Sequence, residues 1–449
     1  MLDLVAVVGW QRCVRRQNFD GSDRRAWFLH RSHYRELHLV ILADTAMLFS
    51  TDRHEPLSPV AWDEALARET IERIVRQTEA RFSPELLWPT HPNDSADPAP
   101  SCMLYWGACG VFWALRYLEA RGACRLQCDY APFVHSLLKP NRKAMGHRGP
   151  SAFGSYLMGD SGIQLLRHWN DPSEETAAEL AVLVEATMDH PARELMWGSP
   201  GTLLAALFLQ ERTGDPRWAR LYQATARKLW SQLEWSSVFA CSYWTQDLYG
   251  NTHTFLDAVH GFVATAAVLI RGRHLLDGAE WAAWQQCIAD TVRQSAEWDG
   301  QHVNWRPKLD STPVRDSATK LVQFCHGAPG FVICLADFPN ASLDDLLVAG
   351  GETTWTAGPL RKGSNLCHGT GGNGYAFLKL HRRFGDARWL ERARAFAMHG
   401  IRQTDDDLAK FGDLRYSLWT GDLGFAIYLW DCIHGTDRFP TLDVFFAGA

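Results

Sequence analysis

The sequence predicts an all-α fold, an α/α toroid built as a double ring of seven inner and seven outer helices. Two observations predict it. A small-residue turn of the form Gly-x-x-Gly, feeding an apolar stretch, occurs seven times, and between the copies lie segments whose apolar residues fall at helical spacing. A helix that is apolar nearly all round must be buried. Seven of them can share that burial by packing together inside a ring of amphipathic partners.

Composition allows a core of that size. The chain has 449 residues, 46% of them hydrophobic, with 20 tryptophans and 22 phenylalanines. Lys+Arg number 45 against 51 Asp+Glu, a formal net charge of −6 with no long run of either sign, so no nucleic acid or anionic membrane is expected as a partner. The opening, "MLDLVAVVGWQRCVRRQNFDG", sets a short apolar run ahead of basic residues, the reverse of a secretory signal. No run of roughly 18 apolar residues occurs, so no transmembrane segment and a cytoplasmic location are expected. The 11 cysteines are scattered over a large chain, which favours reduced thiols and metal binding over a secreted disulfide framework.

Taken in order, "SPVAWDEALARETIERIVRQTEARF" reads as a helix with Ser58 as N-cap and Pro59 at its first position. Residues 92–101, "PNDSADPAPS", read as a linker. Residues 1–95 are therefore expected to be an N-terminal extension with a helix packing on the toroid, and residues 96–449 the toroid itself. The turns follow at Gly107/Gly110, Gly159/Gly162, Gly198/Gly201, Gly261/Ala264, Gly327/Gly330, Gly369/Gly372 and Gly421/Gly424. Each opens an inner helix running the same way, so all seven should lie at one end. Glycine suits a turn crowded by its neighbours, where little room is left for a Cβ. "PRWARLYQATARKLWSQLEW" carries Trp218, Leu221, Tyr222, Ala226, Leu229 and Leu233 on one face, and "DARWLERARAFAMHG" carries Trp389, Leu390, Ala393, Phe396 and Ala397. Both read as outer helices.

The glycines build the floor, and the chemistry must come from polar residues at the turns: Asp160, His260, Cys325, His326, Cys367, His368 and Asp422. Two thiolates and an imidazole suit Zn²⁺, and three protein ligands leave a fourth position open, the pattern of a catalytic site. Cys325, Cys367 and His368 are the expected ligands, with His326 expected as a catalytic residue or a candidate fourth ligand. His260 occupies the same slot of another turn without a cysteine. Asp160 has two readings, an N-cap and an active-site acid; Asp422 is read as structural.

These tracts resemble the lanthionine synthetase C-like (LanC-like) family. "WTAGPLRKGSNLCHGTGGNGYAFLKL" and "LVQFCHGAPGFVICL" are similar to its two zinc-ligand motifs, and "GDSGIQLL", "WGSPGTLLAALF" and "AVHGFVATAAVL" to its earlier inner-helix turns. The resemblance spans about residues 100 to 435. It implies the toroid with zinc at one end, Cys325, Cys367 and His368 as ligands, His260 as the catalytic histidine, and Asp160 as the active-site aspartate. Lys362 matches a lysine that contacts glutathione in one branch. The implied reaction is zinc-dependent Michael addition of a thiol, with glutathione as co-substrate, to dehydroalanine or dehydrobutyrine residues in proteins or peptides. His326 and "LRKGSNLCHG" are similar to the eukaryotic-type, glutathione-adding branch. Ala264 departs from the glycine pattern, and "LDLVAVVGWQRCVRRQ" lacks that branch's N-terminal signature. The alternatives are an intramolecular lanthionine cyclase, a non-catalytic zinc-containing scaffold, and a glycosidase-like toroid relying on Asp160 and Asp422.

Overall fold

A computed structural model describes residues 48–447, apart from 98, 147–149 and 310–319. The first part of the expected N-terminal extension, with "LDLVAVVGWQRCVRRQ", lies outside the described residues.

Outer and inner helices alternate along the chain. α1 (Glu64–Arg81) precedes inner helix α2 (Ala108–Ala120), and the short α3 (Ala131–Val134) and α4 (Leu138–Met145) precede inner α5 (Asp160–Asn170). Next come outer α6 (Glu174–Thr187) with inner α7 (Ser199–Thr213), and outer α8 (Pro216–Ser231) with inner α9 (Phe262–Arg271). The round finishes with α10 (Gly278–Gln294) and α11 (Ala328–Leu335), α12 (Asp344–Ala357) and α13 (Thr370–Phe384), and α14 (Ala387–Phe411) and α15 (Asp422–His434). Each inner helix packs on the next, and α15 packs back on α2, which closes the ring. The result is the expected α/α toroid. Its second outer position is filled by two short helices rather than one long one.

The stripes read from sequence are the buried ones. In α8, Trp218, Tyr222, Ala226 and Leu229 are buried, and the one polar member of the stripe, Thr225, returns its hydroxyl to the Leu221 carbonyl at 2.9 Å. Burying a side chain as large as Trp218 contributes up to about 3 kcal/mol. Helix α1 begins later than expected. Asp63, not Ser58, is its N-cap and accepts from the Leu66 N–H at 3.0 Å. Ser58 is engaged elsewhere, its hydroxyl accepting from Arg402 Nε at 3.0 Å and lying 3.0 Å from His399 Nδ1 of α14, so it is not free to cap. α1 itself packs against α15 and α14.

All seven first glycines are the N-caps of the inner helices. Six take extended backbone there and Gly327 alone has positive φ, +110°, which disfavours any other residue. The second glycines meet close approaches: a Cβ on Gly330 would lie 2.0 Å from the Phe324 carbonyl oxygen and 2.7 Å from Ala258 Cβ of the neighbouring turn.

Three hairpins add to the helices: β1 (Glu234–Ser236) with β2 (Cys241–Tyr243), β3 (Gln246–Leu248) with β4 (Asn251–His253), and β5 (Ala296–Asp299) with β6 (His302–Trp305). They follow outer helices α8 and α10 and so stand at the turn end of the ring. Residues 439–446 fill the centre between the inner helices. Phe439 stacks on Phe324 at 4.4 Å, and Tyr156 donates its hydroxyl to the Thr441 carbonyl at 2.6 Å. Buried Lys379 of α13 pairs with Asp443 at 2.7 Å and Asp437 at 3.2 Å. The ten described cysteines are all free. No helix among the described residues is long and apolar enough to cross a membrane.

Candidate metal centre

The seven turns share one register, and it places every functional side chain. Two residues before the first glycine stand Tyr105, Leu157, Met196, Val259, Cys325, Cys367 and Trp419. Backbone hydrogen bonds stitch these positions together from turn to turn. The N–H of Cys325 donates to the Cys367 carbonyl at 3.0 Å, Cys367 to Trp419 at 2.8 Å, Trp419 to Tyr105 at 3.1 Å, Tyr105 to Leu157 at 3.0 Å and Leu157 to Met196 at 3.3 Å. Leu195 continues to Val259 at 3.3 Å. The two cysteines are thus neighbours through their backbones before any ligand is considered.

One donor atom from each of Cys325, Cys367 and His368 lies within 4.8 Å of the others. Bonds of about 2.3 Å to sulfur and 2.0 Å to nitrogen around a tetrahedron set donors just under about 4 Å apart, so small side-chain adjustments fit this trio to Zn²⁺. Both thiols are buried, and His368 is half-buried. Cys367 is held well below the usual thiol value: the Cys325 thiol bonds to it, which outweighs burial, and His368 and Tyr105 add to the effect. Burial and the charge on Cys367 push Cys325 up. A divalent cation bound by such a buried pair would take the place of the proton the two sulfurs share. Tyr105 donates its hydroxyl to Cys367 Sγ at 2.7 Å, and Gln323 Nε2 donates to Cys325 Sγ at 2.9 Å.

Two carboxylates stand four residues before the first glycines of their turns and serve the histidines of the following ones. Glu194 Oε2 lies 2.9 Å from His260 Nδ1, while its carboxylate also accepts from the Met196 N–H at 2.9 Å and the Trp197 N–H at 2.5 Å. Asp257 accepts from the Val259 and His260 N–H groups at 3.0 and 2.7 Å, and its other oxygen lies 2.8 Å from His326 Nδ1, a charge contact rather than an aligned hydrogen bond. Burial works against a charged His260, but the hydrogen bond and charge of Glu194, with the charges of Asp257 and Cys367, carry it up to about 9. Burial opposes ionisation of Asp257 too, and the two histidines hold it below the usual carboxylate value. Tyr249 and Phe255 flank the His260 ring, at centroid distances of 6.2 and 5.7 Å.

The structure therefore brings Cys325, Cys367 and His368 together and sets His260 and His326 in the same register. Asp160 stands apart. Its carboxylate pairs with Arg142 and accepts from Asn141 Nδ2 at 3.4 Å, which ties α4 to the start of α5, and no site residue is among its partners. Lys362 is exposed at the turn end and lines a hollow with His91, Asn365, Asp407, Arg415 and Asp422. Asp422 is buried, accepts from the Arg415 N–H at 2.8 Å, and is pushed up to about 6 by burial. Glu194, Asp257, Tyr105 and Gln323 were not singled out from the sequence. The signal was present in the register, since "ELMWG" and "DAVHG" place an acid at the same offset from glycine.

A ring of inner helices whose turns gather two cysteines and a histidine defines a class of toroid with a candidate metal site at one end. The sequence matches the family described as lanthionine synthetase C-like protein over residues 63–444, and the chain belongs to that family. The match takes in α1, within the segment where the sequence alone offers no resemblance. Curated relatives include the glutathione S-transferase LANCL1 of Danio rerio, 34% identical over 144 residues, 29% of this chain and 33% of that protein. The LanC-like protein GCL1 of Arabidopsis thaliana is 34% identical over 134 residues, 28% of this chain and 31% of that one. These alignments span about a third of either relative. Among solved structures, nisin cyclase shares the fold with a TM-score of 0.58 at 15% identity, covering 85% of this chain and 98% of that one.

Proposed function

We propose that the chain is a zinc-dependent thioether-forming enzyme, adding a small thiol, glutathione in the first instance, to dehydroalanine or dehydrobutyrine residues of a protein or peptide. Cys325, Cys367 and His368 would hold the metal. The observation that carries the reading is the convergence of those three donors beside His260 in its hydrogen bond to Glu194. The glutathione S-transferase name of one relative supports the choice of thiol.

Bound zinc supplies a Lewis-acid seat at which a thiol ionises at neutral pH. His326, whose Nδ1 faces Asp257, would in its neutral form offer Nε2 to the proton that the thiol gives up. As the S–Cβ bond forms, the π pair of the double bond moves toward the neighbouring carbonyl and the α-carbon needs a proton. His260, kept protonated at neutral pH by Glu194, supplies it. In this reading Glu194 takes the carboxylate role that the resemblance gives to Asp160, and Asp160 fastens α4 to α5. Lys362, exposed at the same end, would meet a carboxylate of the thiol.

The test is thioether formation, followed by mass, from a dehydroalanine peptide and glutathione. Product from the parent and none from His260→Ala at full zinc content supports an enzyme. Full zinc with no product from the parent supports the scaffold reading instead.

A further inference from the structure

An enzyme that handles Michael acceptors beside two thiolates of its own faces a selectivity problem. The electrophile can react with the thiol substrate or with the ligands. If a ligand reacts, its S–Cβ bond forms, the double bond is lost, the α-carbon takes a proton, and a charged thiolate donor becomes a neutral thioether.

Beyond the contacts among the three candidate ligands themselves, each ligand sulfur accepts a hydrogen bond from one outside residue. The Tyr105 hydroxyl reaches Cys367 Sγ at 2.7 Å, and Gln323 Nε2 reaches Cys325 Sγ at 2.9 Å. Both donors are neutral, and both residues are buried, Tyr105 at 7% exposure and Gln323 at 4%. Neither contact is incidental to the packing. Tyr105 stands in the register slot that holds cysteine in two other turns, and its backbone is fixed on both sides, its N–H to Leu157 and its carbonyl from Trp419. Gln323 is fixed by reciprocal backbone bonds with His326, at 3.1 and 3.0 Å. A hydrogen bond to a thiolate occupies a lone pair and withdraws charge from sulfur, which lowers its nucleophilicity without removing it as a ligand.

We propose that Tyr105 and Gln323 are positioning residues that quench the two ligand sulfurs, Tyr105 acting on Cys367 and Gln323 on Cys325, so that the incoming thiol is the sulfur that reacts. The inference rests on the zinc reading above. A sulfur brought in by the substrate lacks these two donors, and that difference makes it the better nucleophile of the three.

The experiment uses the purified, zinc-loaded full chain, with Tyr105→Phe and Gln323→Leu as variants and N-ethylmaleimide as the probe. Zinc content is measured first, then zinc release under the reagent, with the site of first modification mapped by peptide mass. Both variants should hold zinc as the parent does and release it about fivefold faster, the scale expected for losing one hydrogen bond to a charged group. The crosswise pattern is the diagnostic: first modification at Cys367 in Tyr105→Phe and at Cys325 in Gln323→Leu. General loosening of the fold would raise both sites together. Release at the parent's rate in both variants, or faster release without the crosswise pattern, overturns the proposal while leaving the zinc site standing. A parent that binds no zinc overturns the site reading, and this inference with it.

Discussion

Glu194 and His260 belong to consecutive inner-helix turns, and the carboxylate of the first meets the imidazole of the second at 2.9 Å. The same oxygen accepts from the Met196 N–H and the other oxygen from the Trp197 N–H, so the acid is fixed by its own turn before it acts on the next. Asp257 repeats the arrangement one turn on, toward His326. The two pairs share one placement in the turns, but only Glu194 makes an aligned hydrogen bond to its histidine.

Glu194→Gln should release His260. In the metal-free protein its titration, followed by NMR, should fall from about 9 toward the ordinary 6.5. Because the folded value is raised, the stabilisation is fully present below about pH 6.5 and is lost as pH rises through 9. The parent's unfolding free energy should therefore drop across that window by an amount on the order of 3 kcal/mol, and the variant's should drop less. Thioether formation should fall about 10²-fold, within the usual range for general acid catalysis. An unchanged His260 titration in the variant would remove Glu194 from the mechanism.

About one zinc per chain is expected, and Cys367→Ala should lose most of it, since one of three protein ligands is gone. His326→Asn should keep the metal, because His326 already faces Asp257 and is not one of the three converging donors. Loss of zinc from His326→Asn, measured by elemental analysis, would make that residue the fourth ligand instead. Stripping the metal with a chelator should lower the melting temperature of the parent and leave that of Cys367→Ala unchanged.

Gly372→Ala probes how the fold holds the ligand. The new Cβ would fall 1.8 Å from the carbonyl oxygen of Leu366, the residue next to Cys367. Backbone must move to admit it, so a loss of about 3 kcal/mol is expected, together with reduced zinc content. Denaturant unfolding and metal analysis on the same sample check both. A variant as stable as the parent would mean that the turn relaxes freely.

The ring and the two Cys-His pairs were legible because both repeat. Seven copies of one turn fix the periodicity, and Cys325-His326 and Cys367-His368 stand at the same place in two of them. The acids were harder to see because their meaning lies between turns. Glu194 looks like an ordinary charge within "RELMWGSPG", and its importance appears only once the Leu195 N–H is found on the Val259 carbonyl, bringing the His260 turn alongside. Asp160 drew attention because it directly follows a first glycine, but a side chain there opens the helix itself and meets α4. The hairpins escaped because strands of three or four residues are too short to display an alternating pattern.

Asp160→Asn separates the two carboxylates. Both are fully buried and both stand at inner-helix turns, yet their partners differ: Glu194 meets a histidine of the site, whereas Asp160 meets Arg142 and Asn141 of α4. Replacing the Asp160 carboxylate by an amide removes an ion pair, buried on the carboxylate side only, while keeping shape, and Arg142, whose side chain is 51% exposed, can turn to solvent. The cost should be about 1–3 kcal/mol of stability from the weakened tie between α4 and α5. Zinc content and turnover at saturating peptide and thiol should stay within about twofold of the parent at a temperature where the variant is folded, since surplus stability does not enter the rate. Glu194→Gln should show the reverse, a large fall in turnover with folding intact at neutral pH. If instead Asp160→Asn abolishes thioether formation while its melting temperature and zinc content match the parent, Asp160 is the active-site acid, and the Glu194–His260 contact is a structural one.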